Sequence, residues 1–200
     1  MNSPLRKACQ NGQLQVVRYL LTGKDLLEHA DIHDDDNLAL RTACANGQLN
    51  IVQYLLTSPE LKDREYFQHH PEKGWGFHVT KGVAAITGGL SEAAAAGHLK
   101  IVQYILEDEN LLHKPHIHDN DNDYDVLFYA CMNNHEDVAL YLARFYSHEE
   151  LKKTFLKEEW VSLLSCDPIK QKIEAIIQRE RLSEELNVEE RPGLQKSRRI

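Results

Sequence analysis

Three histidines stand close together in one short segment, at His113, His116 and His118. Imidazole nitrogens are common zinc ligands, and three on one loop could hold the ion if they converged. The loop that contains them is similar to the loop at 20–34, where His33 takes the place of His118. Because a recurring loop pattern accounts for part of this histidine content, we predict no metal site and no cofactor.

Two aspartate-rich segments could bind a cation, DDD at 34–36 and DNDND at 119–123. The second resembles the opening of an EF-hand calcium loop. Tyr124 stands where that loop needs glycine, and Ala130 stands where it needs the bidentate glutamate. We therefore interpret both segments as solvated turn residues at the tips of loops rather than as calcium sites.

Motifs of known catalytic sites are missing from the sequence. It contains no H-E-x-x-H, no G-x-S-x-G, no P-loop and no strand followed by G-x-G-x-x-G. We predict that the chain is not an enzyme. The alternative is a small enzyme or metal-binding protein that uses the segment 59–88, where histidines flank Trp75, together with the histidine-rich loop.

Composition limits the classes of protein further. The chain has 200 residues, of which 42% are hydrophobic and 27% charged, as is usual for one globular domain. Its net charge of −8 argues against non-specific nucleic-acid binding, which needs a basic surface. No apolar run approaches the roughly 20 residues of a membrane span, and the first residues do not resemble a signal peptide. We expect a soluble, cytoplasmic protein.

An internal repeat organises most of the chain. Three segments share A-x-x-x-G-[QH]-L-x-[VI]-V-x-Y-[LI]-L and a fourth follows the same register. The segments are PLRKACQNGQLQVVRYLL at 4–21, ALRTACANGQLNIVQYLL at 39–56, GLSEAAAAGHLKIVQYIL at 89–106 and VLFYACMNNHEDVALYL at 126–142. A repeat of this kind predicts stacked, similar structural units.

Each repeat has the pattern of two short antiparallel helices. Leu5, Ala8 and Cys9 form an apolar stripe at i, i+3 and i+4, and a second helical stripe follows the turn. A left-handed residue should end the first helix of each pair, at Gly12, Gly47, Gly97 and Asn134. One pair cannot bury its own apolar faces, but a row of pairs can.

The cysteines fit this repeat. Cys9, Cys44 and Cys131 hold one repeat position, which Ala94 fills in the third unit, and no C-x-x-C pair occurs. They are therefore predicted to be small, reduced core residues. Cys166 lies outside the register.

These repeats resemble ankyrin repeats. The segment from Ser3 to Ala8 is similar to the opening T-P-L-H-x-A, and 97–106 is similar to the second helix of the family consensus. The resemblance covers about residues 2–145 and implies an all-α solenoid of about four helix-turn-helix repeats. It also implies a non-enzymatic module that binds a protein through its concave face and finger loops, with His98 and His135 as family-typical residues after the turn.

The remaining segments depart from the repeat. A long insertion is expected at 59–88 between repeats 2 and 3, and a helical C-terminal cap is expected at 148–186, so that the repeats occupy 1–147. Residues 187–200 lack periodicity and are predicted to be disordered. The aromatic residues of the insertion fit equally well with contact to a partner and with packing back onto the repeats.

The resemblance, carried over by register, predicts partner-binding residues at the ends of the first helices, and the aspartate-rich loops and the aromatic residues of the insertion add further candidates. They lie at the ends of the first helices, in the aspartate-rich loops and in the insertion: Gln10, Asn11, Asp34, Asp35, Asp36, Ala45, Asn46, Trp75, Phe77, Ala95, Ala96, Asp121, Asp123, Tyr124, Met132 and Asn133. The aspartates favour a partner with a basic patch. We expect a monomer that binds a protein and no nucleic acid.

A biological role is suggested by a second resemblance. Short divergent ankyrin arrays resemble effectors that intracellular bacteria deliver into host cells. The glutamate-rich stretch at 184–190, before a polar and basic tail, looks like a type IV secretion signal. This resemblance implies a protein that is secreted into the host cytoplasm and acts on a host protein.

Overall fold

The computed structural model describes residues 4–32, 34–62, 75–111, 115, 117, 126–147, 149–151, 169, 171–175 and 178, with the backbone alone at 34–36, 62 and 75–82. All the regular structure in these residues is helical. The chain divides into two compact units, residues 1–145 and 146–200. The first unit contains every repeat, and the all-α class is confirmed.

The first unit is built from nine helices in the part of the chain that the structure describes. They are α1 (Pro4–Gln10), α2 (Leu14–Thr22), α3 (Asp34–Ala45), α4 (Leu49–Thr57), α5 (Pro59–Lys62), α6 (Trp75–Ala95), α7 (Leu99–Glu107), α8 (Val126–Met132) and α9 (Glu136–Ala143).

These helices form two layers. The first helices of the repeats, α1, α3, α6 and α8, pack side by side in chain order, and the second helices, α2, α4, α7 and α9, do the same. Each first helix also packs on the second helix of its own repeat. This is the stack of helix pairs that the repeat predicts, because each pair buries its apolar faces against its neighbours.

The core lies between the two layers. The repeat positions of Leu5, Ala8 and Cys9 are all buried, and the equivalent residues of the other first helices are Leu40, Ala43, Cys44, Leu90, Ala93, Ala94, Leu127, Ala130 and Cys131. Two small residues per helix let the layers approach closely. Each fully buried leucine stabilises the fold by about 1.5–3 kcal/mol relative to an exposed one.

The turn between the helices is the one that the sequence predicts. Gly12, Gly47 and Gly97 have φ angles of 71°, 71° and 77°, and Asn134 has a φ of 61°. In the first repeat the Gly12 N–H donates to the Cys9 carbonyl oxygen and the next N–H donates to that of Ala8. These two bonds form a Schellman motif, which satisfies carbonyl groups at the helix end and needs a left-handed residue.

The expected insertion contributes more helix than loop to the described structure. Residues 59–62 form α5, and residues 75–88 are continuous with the first helix of the third repeat, so that α6 has 21 residues. Ala85 and Ile86 in this extension are buried. Their burial explains why the helix continues toward its N-terminus beyond the repeat register.

The first aspartate-rich segment corrects an expectation. Residues 34–36 form the first turn of α3 and are not part of a loop, and Asn37 follows with a φ of 62°. Aspartate is favoured in a first helical turn because the helix dipole attracts negative charge there. Asparagine is one of the few residues that adopts a left-handed conformation readily, so it is tolerated at this position of α3.

The second unit, residues 146–200, is described at few positions. Tyr146, Leu151, Ile169 and Ile173 are buried. The Ser147 backbone N–H donates to Glu150 Oε2 at 2.7 Å, and the Glu150 backbone N–H donates to Ser147 Oγ at 3.3 Å. This arrangement is a capping box, which begins a helix. The cap at 148–186 stays a prediction, and 187–200 lies outside the described residues.

Among the described residues, no helix combines the length and the apolar character needed to cross a bilayer.

Candidate functional site

The predicted residues near the turns occupy equivalent places in the structure. Gln10, Ala45, Ala95 and Met132 are the last residues of α1, α3, α6 and α8, and a further predicted residue follows each of them. Gln10 and Met132 are exposed, whereas the two alanines are half-buried. The stack therefore lines up these four positions along one edge of the first-helix layer.

Two of the residues that follow also have a structural role. The Asn46 side-chain amide donates to the Thr42 carbonyl oxygen at 2.8 Å, and that of Asn133 donates to the Tyr129 carbonyl oxygen at 2.9 Å. Each bond is a second one to a carbonyl oxygen near the end of a first helix, which also accepts the backbone N–H of the same asparagine. Both asparagines are exposed, as is Asn11, while Ala96 is half-buried.

Histidines link successive repeats at the turns. His98 Nε2 lies 3.2 Å from the Ala45 carbonyl oxygen, and His135 Nε2 lies 3.1 Å from that of Ala95. A carbonyl oxygen only accepts, so each Nε2 carries the proton and donates it. These two histidines therefore join one repeat to the next, in agreement with the family pattern, and they are not arranged as metal ligands.

An ion pair connects the first helices of repeats 2 and 3. An Arg41 terminal nitrogen lies 2.6 Å from Glu92 Oε1, and both side chains are more than one third exposed. The Arg41 stem lies beside Gly88, where an added Cβ would be 3.5 Å from Arg41 Cδ. Arg41 Nε is buried without an acceptor. A partly exposed pair of this kind stabilises the fold by less than about 1 kcal/mol.

The fourth repeat has aromatic and apolar side chains at the end of its first helix. Phe128 and Tyr129 are half-buried, and their rings meet edge to face with centroids 6.0 Å apart. Met132 lies one helical turn after Phe128 and remains 38% exposed. Side chains of this kind are favoured in protein interfaces.

The first helices therefore carry an ordered set of side chains that we call the first-helix stripe. It consists of one residue and its i+4 neighbour on each first helix, at equivalent repeat positions that are exposed or half-buried: Arg6, Gln10, Arg41, Ala45, Ser91, Ala95, Phe128 and Met132. Sequence reasoning found the second residue of each pair and missed the first. The i, i+4 spacing was the signal that could have found it.

The cysteines are confirmed as core residues. Cys9, Cys44 and Cys131 are free and buried. Burial raises the pKa of the Cys9 thiol from 9.0 to about 12, and it also raises the pKa of Cys44. A buried, protonated thiol is a poor nucleophile. Cys166 lies outside the described residues.

Several predicted residues cannot be placed by their side chains. The backbone of 34–36 lies in α3, and that of Trp75 and Phe77 lies in α6. Asp121, Asp123 and Tyr124 lie outside the described residues.

The side chains of the histidine-rich loop cannot be placed either. His113, His116 and His118 lie outside the described part of the chain. Within the described residues, no three His, Cys, Asp or Glu side chains are grouped so that they could hold a metal ion.

Comparison with known proteins identifies the family. A family model of ankyrin repeats (three copies) matches residues 1–64, and a second model of ankyrin repeats (many copies) matches residues 90–143. No curated protein and no solved structure gives a significant match. The two models together cover more than half of the chain and include the helix pairs in both halves of the stack. The chain belongs to the ankyrin-repeat family.

Proposed function

We propose that this protein is a non-enzymatic interaction module that binds a partner protein along the first-helix stripe and the adjacent turns. Ankyrin repeats generally mediate protein–protein interaction. The observation that supports this site is the alignment of four equivalent helix ends, whose side chains at Gln10 and Met132 are exposed and lie outside the core.

Rigidity makes the site suitable for binding. Each stripe residue stands on a helix whose opposite side is buried, and His98 and His135 tie neighbouring turns together. A surface that is already ordered does not lose much conformational entropy when a partner binds. A partner would therefore meet a pre-formed surface.

The aspartate-rich segments extend the proposal to the chemistry of the partner. Residues 34–36 begin α3, and 119–123 is the second such segment in the sequence. We propose that these carboxylates meet a basic patch on the partner, which speeds association at low ionic strength. We further propose that the protein acts as a monomer in the cytoplasm and binds no nucleic acid.

Affinity capture with a blocked stripe tests the site. An Ala45→Arg/Ala95→Arg variant places two long side chains at half-buried stripe positions. The control, Gln15→Arg/Asn50→Arg, adds the same charges at exposed positions of α2 and α4. We expect mass spectrometry to find proteins retained by the wild type and the control but lost with the folded stripe variant. Equal retention by all three would contradict the proposed site.

The effector role is a separate proposal. Its support is the glutamate-rich stretch at 184–190, which lies outside the described residues. Deletion of 183–200 should abolish delivery into a host cell in a translocation assay while leaving the far-ultraviolet circular dichroism of the repeats intact. Unchanged delivery would reject the role and would leave the interaction module unaffected.

A further inference from the structure

The second helix of the first repeat has an apolar side that water reaches. Val16 on α2 is 43% exposed, whereas the residues at the same repeat position on α4, α7 and α9 are buried: Ile51, Ile101 and Val138. Leu20 is half-buried, and its equivalents on the same three helices are again buried: Leu55, Ile105 and Leu142. The first repeat therefore keeps the apolar residue types of the interface without the cover that the later repeats have.

The connection after α2 shows the same difference. The Leu26 N–H donates to the Gly23 carbonyl oxygen, and Leu61 and Leu111 make the same turn after α4 and α7. Leu61 and Leu111 are buried, but Leu26 is only half-buried, and Leu27 beside it is fully exposed. The first repeat thus lacks a cover at this connection as well as on α2.

In the later repeats the second helix of the preceding repeat contributes to this cover. The Arg18 guanidinium on α2 lies 5.5 Å from the centroid of the Tyr54 ring on α4. The Tyr141 hydroxyl on α9 donates to Glu107 Oε1 on α7 at 2.7 Å. Tyr54 and Tyr141 hold the repeat position of Tyr19, so this position faces the preceding second helix. No described helix takes that place beside α2, and Tyr19 is 50% exposed.

These residues form a surface that we call the end face, defined by Val16, Tyr19, Leu20 and Leu26. The first three lie on one side of α2, because residues three and four apart share a helix face. The end face continues, in register, the interface that joins each repeat to the one before it. Exposed apolar surface of this kind marks sites of interaction.

We propose that the end face binds an amphipathic helix of a partner protein, which packs beside α2 as α2 packs beside α4. The apolar side of that helix covers Val16 and Leu20 and removes their surface from water, which favours association. A side-chain oxygen on the helix accepts from the Tyr19 hydroxyl, as Glu107 accepts from Tyr141. This surface belongs to the second-helix layer and lies outside the first-helix stripe of the proposed function.

The far end of the stack does not reproduce this acceptor for a second copy of the chain. On α2, α4 and α7 the third residue after the tyrosine carries a side-chain oxygen, and these residues are Thr22, Thr57 and Glu107. The equivalent residue after Tyr141 is Arg144, whose guanidinium only donates hydrogen bonds. A partner helix with a Glu, Asp or Thr at this position matches the end face better than the last repeat of another copy does.

Selection of helical hairpins displayed on phage, with the full chain as target, provides the probe. The library varies one side of one helix of the hairpin. We expect a class of selected hairpins to carry apolar residues at i, i+3 and i+4 with Glu, Asp or Thr next to them. Failure to select any hairpin whose binding depends on the end face overturns the inference.

A charge placed on the end face identifies this class. Val16→Glu should raise the Kd of such a hairpin about tenfold or more, because the carboxylate would be buried against apolar side chains without a partner. The control, Asn50→Glu, makes the same change in net charge at an exposed position of α4 and should leave the Kd unchanged. Circular dichroism at 222 nm verifies that both variants are folded. If every selected hairpin binds both variants equally well, the inference is wrong.

Removal of one hydroxyl tests the polar contact. Tyr19→Phe should raise the Kd of a hairpin that carries the acceptor roughly twofold to tenfold. It should have no effect on the same hairpin after its acceptor is replaced by alanine. An equal change for the two hairpins would refute the hydrogen bond to Tyr19.

Two further measurements separate the possible occupants and the two surfaces. Sedimentation equilibrium of the wild type should show a monomer, and a dimer that Val16→Glu abolishes would mean that a second copy, not a partner helix, covers the end face. The Ala45→Arg/Ala95→Arg variant should bind the hairpin with the wild-type Kd, because its substitutions lie on the first helices α3 and α6. Loss of hairpin binding in that variant would contradict the end face as the site, whereas failure of the stripe to bind a partner would leave this inference intact.

Discussion

Substitution of Gly97 by alanine tests how successive repeats are joined. Gly97 has a φ of 77°, a left-handed conformation that costs an L-residue with a Cβ about 1–2 kcal/mol. A Cβ at this position would also lie 2.6 Å from His135 Cε1 and 2.8 Å from His135 Cγ. Carbon atoms prefer to be about 3.5–4.0 Å apart, so the imidazole must move.

The expected loss of stability combines these two effects. Displacement of His135 breaks its hydrogen bond to the Ala95 carbonyl oxygen, which is worth about 0.5–1.5 kcal/mol. Alanine also lowers the entropy of the unfolded chain relative to glycine, and this offsets about 0.4–1 kcal/mol. We expect Gly97→Ala to lower the free energy of unfolding by about 2 kcal/mol.

Urea unfolding followed by circular dichroism at 222 nm measures this quantity. In a His135→Ala background the overlap is absent, so the cost of Gly97→Ala should fall by about 1 kcal/mol. Gly97→Asn separates the two effects, because asparagine tolerates the left-handed backbone, as Asn134 shows with a φ of 61°. We expect Gly97→Asn to lower the free energy of unfolding when His135 is present and to leave it nearly unchanged in the His135→Ala background. Equal costs of Gly97→Ala in the two backgrounds would refute the reasoning.

Two further predictions concern buried groups. Tyr141→Phe should lower the free energy of unfolding by about 1–2 kcal/mol, because the Tyr141 hydroxyl donates to Glu107 Oε1 at 2.7 Å. Tyr104→Phe should change the free energy of unfolding by less than about 0.5 kcal/mol. Burial raises the pKa of Tyr104, and Thr57 and Asp108 are close enough to affect this pKa, but the buried Tyr104 hydroxyl has no hydrogen-bond partner of acceptable geometry. Equal losses of stability for the two variants in urea unfolding would contradict this distinction. Since burial raises the pKa of Cys9 from 9.0 to about 12 and also raises that of Cys44, the unfolded chain loses these protons at a lower pH than the native state. The free energy of unfolding should therefore be fully retained below about pH 9 and fall as the pH rises toward 12, by at most about 1.4 kcal/mol per pH unit for each thiol. If the free energy of unfolding of a Cys9→Ala/Cys44→Ala variant falls as steeply with pH as that of the wild type, the prediction is wrong.

The residues of the candidate site were predictable in part. The repeat register located Gln10, Ala45, Ala95 and Met132 at equivalent helix ends, because register alone determines which residues are equivalent. It did not show that Asn46 and Asn133 also bond to backbone carbonyl groups. Those bonds depend on the side-chain conformation at each helix end.

Most of the fold was determined by local patterns in the sequence. Apolar residues at i, i+3 and i+4 identify the helices and their buried sides, and these positions, including Cys9, are buried in the structure. The turns are identified by Gly12, Gly47, Gly97 and Asn134, because a left-handed backbone conformation disfavours most other residue types. These features depend on neighbours within a few residues, so the order of residues alone specifies them.

Only the tertiary structure decided the features that depend on two repeats at once. Arg41 and Glu92 are 51 residues apart in the sequence and meet because α3 packs on α6. The position of His135 over Gly97, the extension of α6 to Trp75, and the exposure of Arg6 and Met132 also depend on how one repeat is placed against the next. The sequence by itself therefore determined the repeating unit, its turn and its core. Stacking decided which side chains meet or stay exposed, because packing distances between repeats are set by all the contacting side chains together.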